Sequence, residues 1–214
     1  MTASDHFPES WAEIRDIAEL EDVIGAPNQI VFDKVAAKLG PMHRAWLEHS
    51  PLCMIATADT EGNCDVSPRG DPPGFARVLD DSTLALPDRP GNRRADSFRN
   101  VLANPRVGLL FLIPGRGDTL RINGRARLVR DAPFLSEMRV RGHVPPLALV
   151  VRTEEIYFHC GKSFLRAQCW DPDTWRPDAA PSRARIAKAT EWTERSLADL
   201  EERYGPSYTK RLYD

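Results

Sequence analysis

Between Leu52 and Cys160 the sequence breaks into short apolar or alternating runs joined by links of only a few residues. Strand candidates are Leu52–Ala58, Cys64–Arg69, Phe75–Leu79, Thr83–Leu86, Arg106–Ile113, Thr119–Arg130 and Leu147–Cys160. The turns between them carry Asp59–Asn63, the Pro/Gly-rich Gly70–Gly74, Asp80-Asp81-Ser82 and Pro114–Asp118. A parallel strand pair needs a crossover of a dozen or more residues, which most of these links cannot supply. The spacing therefore predicts an antiparallel sheet of six or seven strands closed into a barrel, with short helices between strands.

The flanks read differently. Residues 10–50 are expected to be helical and packed on the barrel. Trp11, Ile14, Ile17 and Leu20 recur at near-helical spacing, and Ser10 with Glu13 forms a capping-box pattern. Gly25–Asn28 should break that helix, and Val31–Leu39 and Met42–His49 read as two shorter amphipathic pieces. Asn92–Asn104 reads as a helix stopped by Pro105, and Asp131 as the cap of a short helix to Val140. Beyond Gly161 comes a loop, then one amphipathic helix at roughly 183–204. With 214 residues, a single α+β domain is expected: residues 1–50 helical, 51–160 barrel, 161–214 an extension.

Charge restricts the function classes. The formal net charge is −2, which gives no whole-chain preference for a polyanion. All but five of the 29 basic residues are arginine, and Arg69–Arg130 holds twelve arginines, no lysine and six acidic residues. Arginine presents a planar fork suited to phosphate or carboxylate. Aromatic residues are sparse in these strands, against a single-strand nucleic-acid platform. The segment Met1–Ser10 lacks a basic, then apolar, leader pattern, and apolar runs such as Val107–Pro114 fall far short of the ~20 residues a bilayer requires. Neither a nucleic-acid nor a membrane partner is expected, a nucleic-acid-binding barrel using the basic segment being kept only as a rival reading, and a cytoplasmic setting is expected. The four cysteines, Cys53, Cys64, Cys160 and Cys169, form no C-x-x-C pair and read as thiols in a reducing compartment.

Three segments carry candidate chemistry. In Pro87-Asp88-Arg89-Pro90-Gly91-Asn92-Arg93-Arg94, Asn92 reads as an N-cap, which puts Arg93 and Arg94 in the first helical turn. Positive charge is disfavoured there unless an anion joins it, or unless the arginines bend to Asp88 or Asp96. In Val66-Ser67-Pro68-Arg69-Gly70-Asp71, Ser67 and Arg69 stand at a strand end. In Thr119-Leu120-Arg121-Ile122-Asn123, alternation puts Thr119, Arg121 and Asn123 on one strand face. His159, Cys160 and Cys169 do not have a standard zinc spacing, so no metal is expected. No G-x-S-x-G accompanies a nucleophilic triad.

Thr83–Gly124 resembles the core of the FMN-binding split barrels related to pyridoxamine 5′-phosphate oxidase. The resemblance rests on Gly91-Asn92-Arg93-Arg94, on Asn104-Pro105-Arg106-Val107 running into Gly108-Leu109-Leu110-Phe111, and on the strand closing at Gly124-Arg125-Ala126. Ser67–Asp71, Pro87–Arg94 and His159-Cys160-Gly161-Lys162 are similar to a bacterial subgroup of FMN-dependent enzymes with no settled substrate. The resemblance covers roughly residues 20–175 and implies a split β-barrel that binds FMN as a homodimer. It places Arg69, Arg93 and Arg94 at the flavin phosphate, Pro87 and Asp88 along the flavin, and Thr119 near its ring; Ser67, Asn92 and Arg121, read from their own segments, join them as candidate cofactor-binding residues. The segment from His159 to Trp170, which lacks a metal spacing, is read as closing the site, with Lys162 or Trp170 contributing. The resemblance further implies an FMN-dependent oxidoreductase acting on a small molecule, with NADH or NADPH as electron source. A non-catalytic carrier or sensor of flavin, haem or the deazaflavin F420 would use the same fold. The oxidase's own substrate-recognising C-terminal segment is not evident, and Arg94 stands where the oxidase has a lysine.

Overall fold

The computed structural model describes residues 10–213. Contacts divide the chain into a unit ending at Val35 and a second unit beginning at Ala36.

In the first unit, helix α1 spans Ile17–Ile24 and α2 is the single turn Ile30–Asp33. The helix is capped by Asp16 rather than by Ser10. Asp16 Oδ1 accepts the Glu19 N–H at 2.9 Å, and Glu19 Oε2 accepts the Arg15 N–H at 2.9 Å. The first bond caps the helix and the second holds the residue before the cap, and Trp11 and Ile14 precede the helix. Gly25, at φ +85°, ends α1 as expected.

The second unit is built on one seven-stranded antiparallel sheet. Helix α3 (Pro41–His49) leads into β1 (Leu52–Ala58) and β2 (Cys64–Gly70), and then come β3 (Arg77–Val78) and β4 (Thr83–Pro87). Helix α4 (Asp96–Ala103) precedes β5 (Arg106–Leu112), β6 (Thr119–Val129) and β7 (Ala148–His159). The strand order is β2-β1-β5-β6-β7-β4-β3. The sheet curls around a core that includes Ile55, Leu84, Leu86, Phe111, Leu120, Ile122, Val151 and Ile156, all nearly or fully buried.

The closed ring favoured by the short links does not form, and the seven-stranded sheet is instead the split barrel that the family resemblance implies. β2 and β3 lie at opposite ends of the order and do not pair, so the barrel is split. β2 carries Pro68, which has no N–H for a second ladder and belongs on an edge. Helix α4 covers this region instead, packing on β1, β2 and β6. Ser97 Oγ reaches Asp65 at 3.1 Å, and Asn100 Nδ2 donates to Thr57 Oγ1 at 3.0 Å. Gly124 sits at a bulge in the β6–β7 ladder. A Cβ there would come 2.1 Å from the Arg152 carbonyl oxygen, so only glycine fits.

Three further expectations are corrected. Asn92 does not begin a helix, and α4 starts four residues later. The segment after Asp131, itself at φ +57°, is a 3-10 turn over Pro133–Met138 rather than an α-helix to Val140. The tail is two helices, α6 (Arg183–Thr190) and α7 (Leu197–Arg203), following the short α5 (Lys162–Arg166). Ser196 breaks the tail helix by capping the Asp199 N–H, and the two halves then bury Ala184, Ala187 and Leu200 between them. Among the described residues, no helix is long and apolar enough to cross a membrane.

Candidate anion site

Alternation along β2 sends Asp65, Ser67 and Arg69 to one face and Val66 to the other. On the first face lies a cavity of about 600 Å³. Its walls are those three residues, the loop from Asp88 to Ala95, the start of α4 through Phe98, and Pro146-Leu147. The sequence-predicted Ser67, Arg69, Asp88, Asn92, Arg93 and Arg94 meet here.

The loop is held at several points. Asp88 N–H donates to the Leu147 carbonyl at 3.0 Å. Arg89 Nε pairs with Asp71 at 2.5 Å, and Arg89 Nη2 donates to the Met138 carbonyl at 2.7 Å. The Arg94 N–H bonds to Asn92 Oδ1 at 3.0 Å, so Asn92 caps a turn, not a helix. Arg93 and Ala95 both take left-handed backbone, at φ 60° and 59°. Two non-glycine residues in that region store strain, a pattern that clusters at ligand clamps.

The arginines differ in their freedom. The Arg94 side chain is exposed and forms an ion pair with Asp96, which sits in the first turn of α4. Arg94 itself precedes that helix, so it does not occupy the helical position expected to disfavour positive charge. Arg93 is exposed at the loop crest. Arg69 is the unusual one. Its guanidinium stands 5.1 Å above the Phe98 ring, and its Nε is buried with no hydrogen-bond partner among the described residues. A buried N–H left unpaired costs about 1–3 kcal/mol, so this donor calls for an acceptor. Nη1 of Arg89 is a second orphan of the same kind.

The anionic side of the cavity sets limits on what it binds. Burial pushes the Asp88 carboxyl above its ordinary range, with Arg69 partly opposing the shift. The Ser97 hydroxyl donates to Asp65 and lies 3.2 Å from Ser67 Oγ. With the Ser97 hydrogen spent on Asp65, Ser67 supplies the hydrogen between the two hydroxyls.

A second cavity, of about 350 Å³, lies on the opposite face of the sheet. Met54, Ala56, Val66 and Leu110 give it an apolar floor, and Thr119, Arg121, Asn123, His159 and Cys160 border it together with Ser163 and Phe164 of α5. Thr119 and Arg121 thus stand apart from the arginine cavity within one chain. Pro87 is buried in the β4–β7 ladder opposite Ala148 and lines neither cavity. Lys162 is exposed at the start of α5 and lines neither. Trp170 stacks on Phe164 at 5.9 Å and donates its indole N–H to the Arg116 carbonyl at 2.7 Å, behind the second cavity. Sequence reasoning missed Phe98, Ser97 and the Asp71–Arg89 brace. Arg89 in a Pro/Gly loop was the one available signal for the brace.

The fold is a split antiparallel barrel, and beside its β2 edge a half-buried arginine with an unpaired Nε faces a cavity of about 600 Å³. The chain belongs to the pyridoxamine 5′-phosphate oxidase family, whose sequence model matches residues 39–160. No curated protein matches the sequence. Among solved structures, the chain is similar to HupZ from Group A Streptococcus (19% identity, 55% of this chain and 90% of that one, TM-score 0.44). It is also similar to a putative pyridoxamine 5′-phosphate oxidase from Lactobacillus delbrueckii (21% identity, 57% and 95%, TM-score 0.45). An FMN-binding protein from Syntrophomonas wolfei is similar at 12% identity, with 55% and 88% covered and a TM-score of 0.41.

Proposed function

We propose that this protein binds FMN, with the flavin phosphate in the arginine cavity, and works as an FMN-dependent oxidoreductase on a small molecule. The observation that carries the reading is the buried Arg69 Nε without an acceptor, beside Arg93 on a strained loop. A phosphate oxygen would satisfy that donor, and the guanidinium forks of Arg69 and Arg93 suit its geometry. Membership of the pyridoxamine 5′-phosphate oxidase family supports FMN as the phosphate-bearing ligand.

Bound flavin supplies the electron chemistry, and the chain supplies position and charge. Arg69 holds the phosphate end in place, and its contact with Phe98 fixes the guanidinium plane. Asn92 shapes the turn that presents Arg93, through its bond to the Arg94 N–H. The second cavity supports a homodimeric form. Its floor includes Val66 at 64% exposure, an apolar surface that a second copy would cover, and Thr119 and Arg121 then serve the ring end of a shared site. Lys162 and Trp170 belong to the segment beside that face. Four free cysteines fit a cytoplasmic setting.

The test is to purify the protein, record its visible spectrum, and titrate it with FMN. The protein should be yellow as purified or bind FMN saturably, and NADH or NADPH should bleach the bound flavin. A colourless protein that takes up no FMN sinks the proposal. FMN held tightly but never reduced would leave flavin carriage in place of catalysis.

A further inference from the structure

Asp71 leaves β2 two residues after Arg69 and is almost fully enclosed, with its side chain 1% exposed. Its carboxylate has two partners. Oδ2 accepts from Arg89 Nε at 2.5 Å, and Oδ1 accepts the hydroxyl of Tyr213 at 2.5 Å, from 142 residues away. Tyr213 also stacks on His143, with ring centroids 5.8 Å apart and planes 23° from parallel. The Arg89 and Arg141 guanidiniums lie 5.8 and 5.7 Å from the Tyr213 ring. The phenol thus has two guanidiniums and an imidazole near its ring and rests its hydroxyl on an enclosed carboxylate.

The placement gives this cluster a mechanical meaning. Asp71 is fixed to the strand that carries Arg69, and its own N–H donates to the Pro51 carbonyl at 3.1 Å. Arg89 belongs to the loop that carries Arg93 and Arg94. The Asp71–Arg89 pair therefore ties together the two segments whose guanidiniums must converge on one anion. A carboxylate this enclosed needs both oxygens satisfied, because an unpaired buried acceptor weakens the whole network. Tyr213 supplies the second bond.

We propose that Tyr213 is a positioning residue: by completing the coordination of Asp71 it latches the Arg89 loop and sets the spacing of Arg69 and Arg93 for a phosphate. This rests on the reading of the arginine cavity as the FMN phosphate site. The latch acts on the phosphate end alone, since no part of it lines the second cavity.

Tyr213→Phe keeps the ring and its stacking but removes the hydroxyl, and Tyr213→Ala removes both. Amide hydrogen exchange should rise about tenfold across residues 87–95 in Tyr213→Phe, the scale of one hydrogen bond to a charged group, and further in Tyr213→Ala. Exchange in β5 and β6 should stay as in the wild type. The Kd for FMN should rise by a similar factor, while that for riboflavin, which lacks the phosphate, should not move. Unchanged exchange at residues 87–95 overturns the latch, as does a rise spread equally over β5 and β6. FMN and riboflavin weakening together, or FMN affinity unaltered while the loop loosens, overturns its link to the phosphate. If the wild type binds no FMN, the FMN reading fails, and the exchange arm still decides whether Tyr213 holds the loop.

Discussion

The Arg69 guanidinium rests 5.1 Å above the Phe98 ring, so β2 and α4 meet through a cation and an aromatic face rather than through two apolar side chains. Phe98 satisfies the face of the guanidinium and leaves its in-plane donors to find partners elsewhere. Nε finds none among the described residues. A purely structural contact at this point would be better served by an uncharged side chain.

That relationship predicts a trade between stability and binding. Arg69→Met keeps much of the packing on Phe98 and removes an unpaired buried donor worth about 1–3 kcal/mol. The ligand-free variant should melt at or above the wild-type temperature, and its FMN affinity should fall at least tenfold. A large drop in melting temperature would mean that Arg69 is structural.

Arg93 and Arg94 should not be equivalent. Arg94 is already engaged by Asp96, while Arg93 makes no ion pair among the described residues. Arg93→Ala should weaken FMN by about tenfold, on the scale of one charge-assisted contact. Arg94→Ala should weaken it less, and neither should change the melting temperature measurably. Equal effects would place Arg94 on the ligand as well.

The placement of these residues shows what the sequence made legible. Alternation in β2 separates Ser67 and Arg69 from Val66, and the same rule puts Thr119 and Arg121 on one face of β6. That the two pairs lie on opposite sides of the sheet was not legible, because alternation fixes faces within a strand but not which strand faces coincide. Asn92 misled because a side-chain oxygen accepting the N–H two residues on is common to a turn and to a helix start. Short links favour an antiparallel barrel without saying whether it closes, and Pro68 marks an edge only once its partner strands are known. The bond from Tyr213 to Asp71 has no local signature at a separation of 142 residues.

Asp88 gives a pH test. Burial raises its carboxyl above the ordinary range, with Arg69 partly offsetting this, so the protonated form is favoured in the folded protein. Its contribution to stability is present below the ordinary value of 3.8 and is lost as pH rises through the raised value. At neutral pH the ionised group is a cost and repels a bound anion. Asp88→Asn should raise the melting temperature at pH 7, with the gain vanishing in acid, and should tighten FMN binding at pH 7. Thermal melts from pH 3 to 8 on both proteins check it.

His43 predicts the opposite slope. Its Nδ1 accepts the Gly40 N–H at 3.1 Å at the start of α3, and burial lowers its pKa from the ordinary 6.5 despite opposition from the Lys38 backbone. The neutral ring is favoured in the folded protein. Its stabilisation is complete above 6.5 and is lost as pH falls through the lowered value. Wild-type stability should therefore decline in that window more steeply than that of His43→Asn, measured by urea unfolding at each pH.

At Gly124 the demand is steric. Gly124→Ala would drive a methyl group to 2.1 Å from the Arg152 carbonyl, and it should cost several kcal/mol or prevent folding. Circular dichroism and a melting curve decide it, and a variant as stable as wild type would contradict the bulge geometry.

Whether the cavity around Arg69 holds the phosphate of FMN is decided by calorimetric titration of wild type and Arg69→Met with FMN and with riboflavin. Wild type should bind FMN much more tightly than riboflavin, and Arg69→Met should lose that preference, binding the two with similar affinity. Equal affinity of the wild type for both ligands, or a preference for FMN that survives Arg69→Met, would contradict a phosphate site at Arg69.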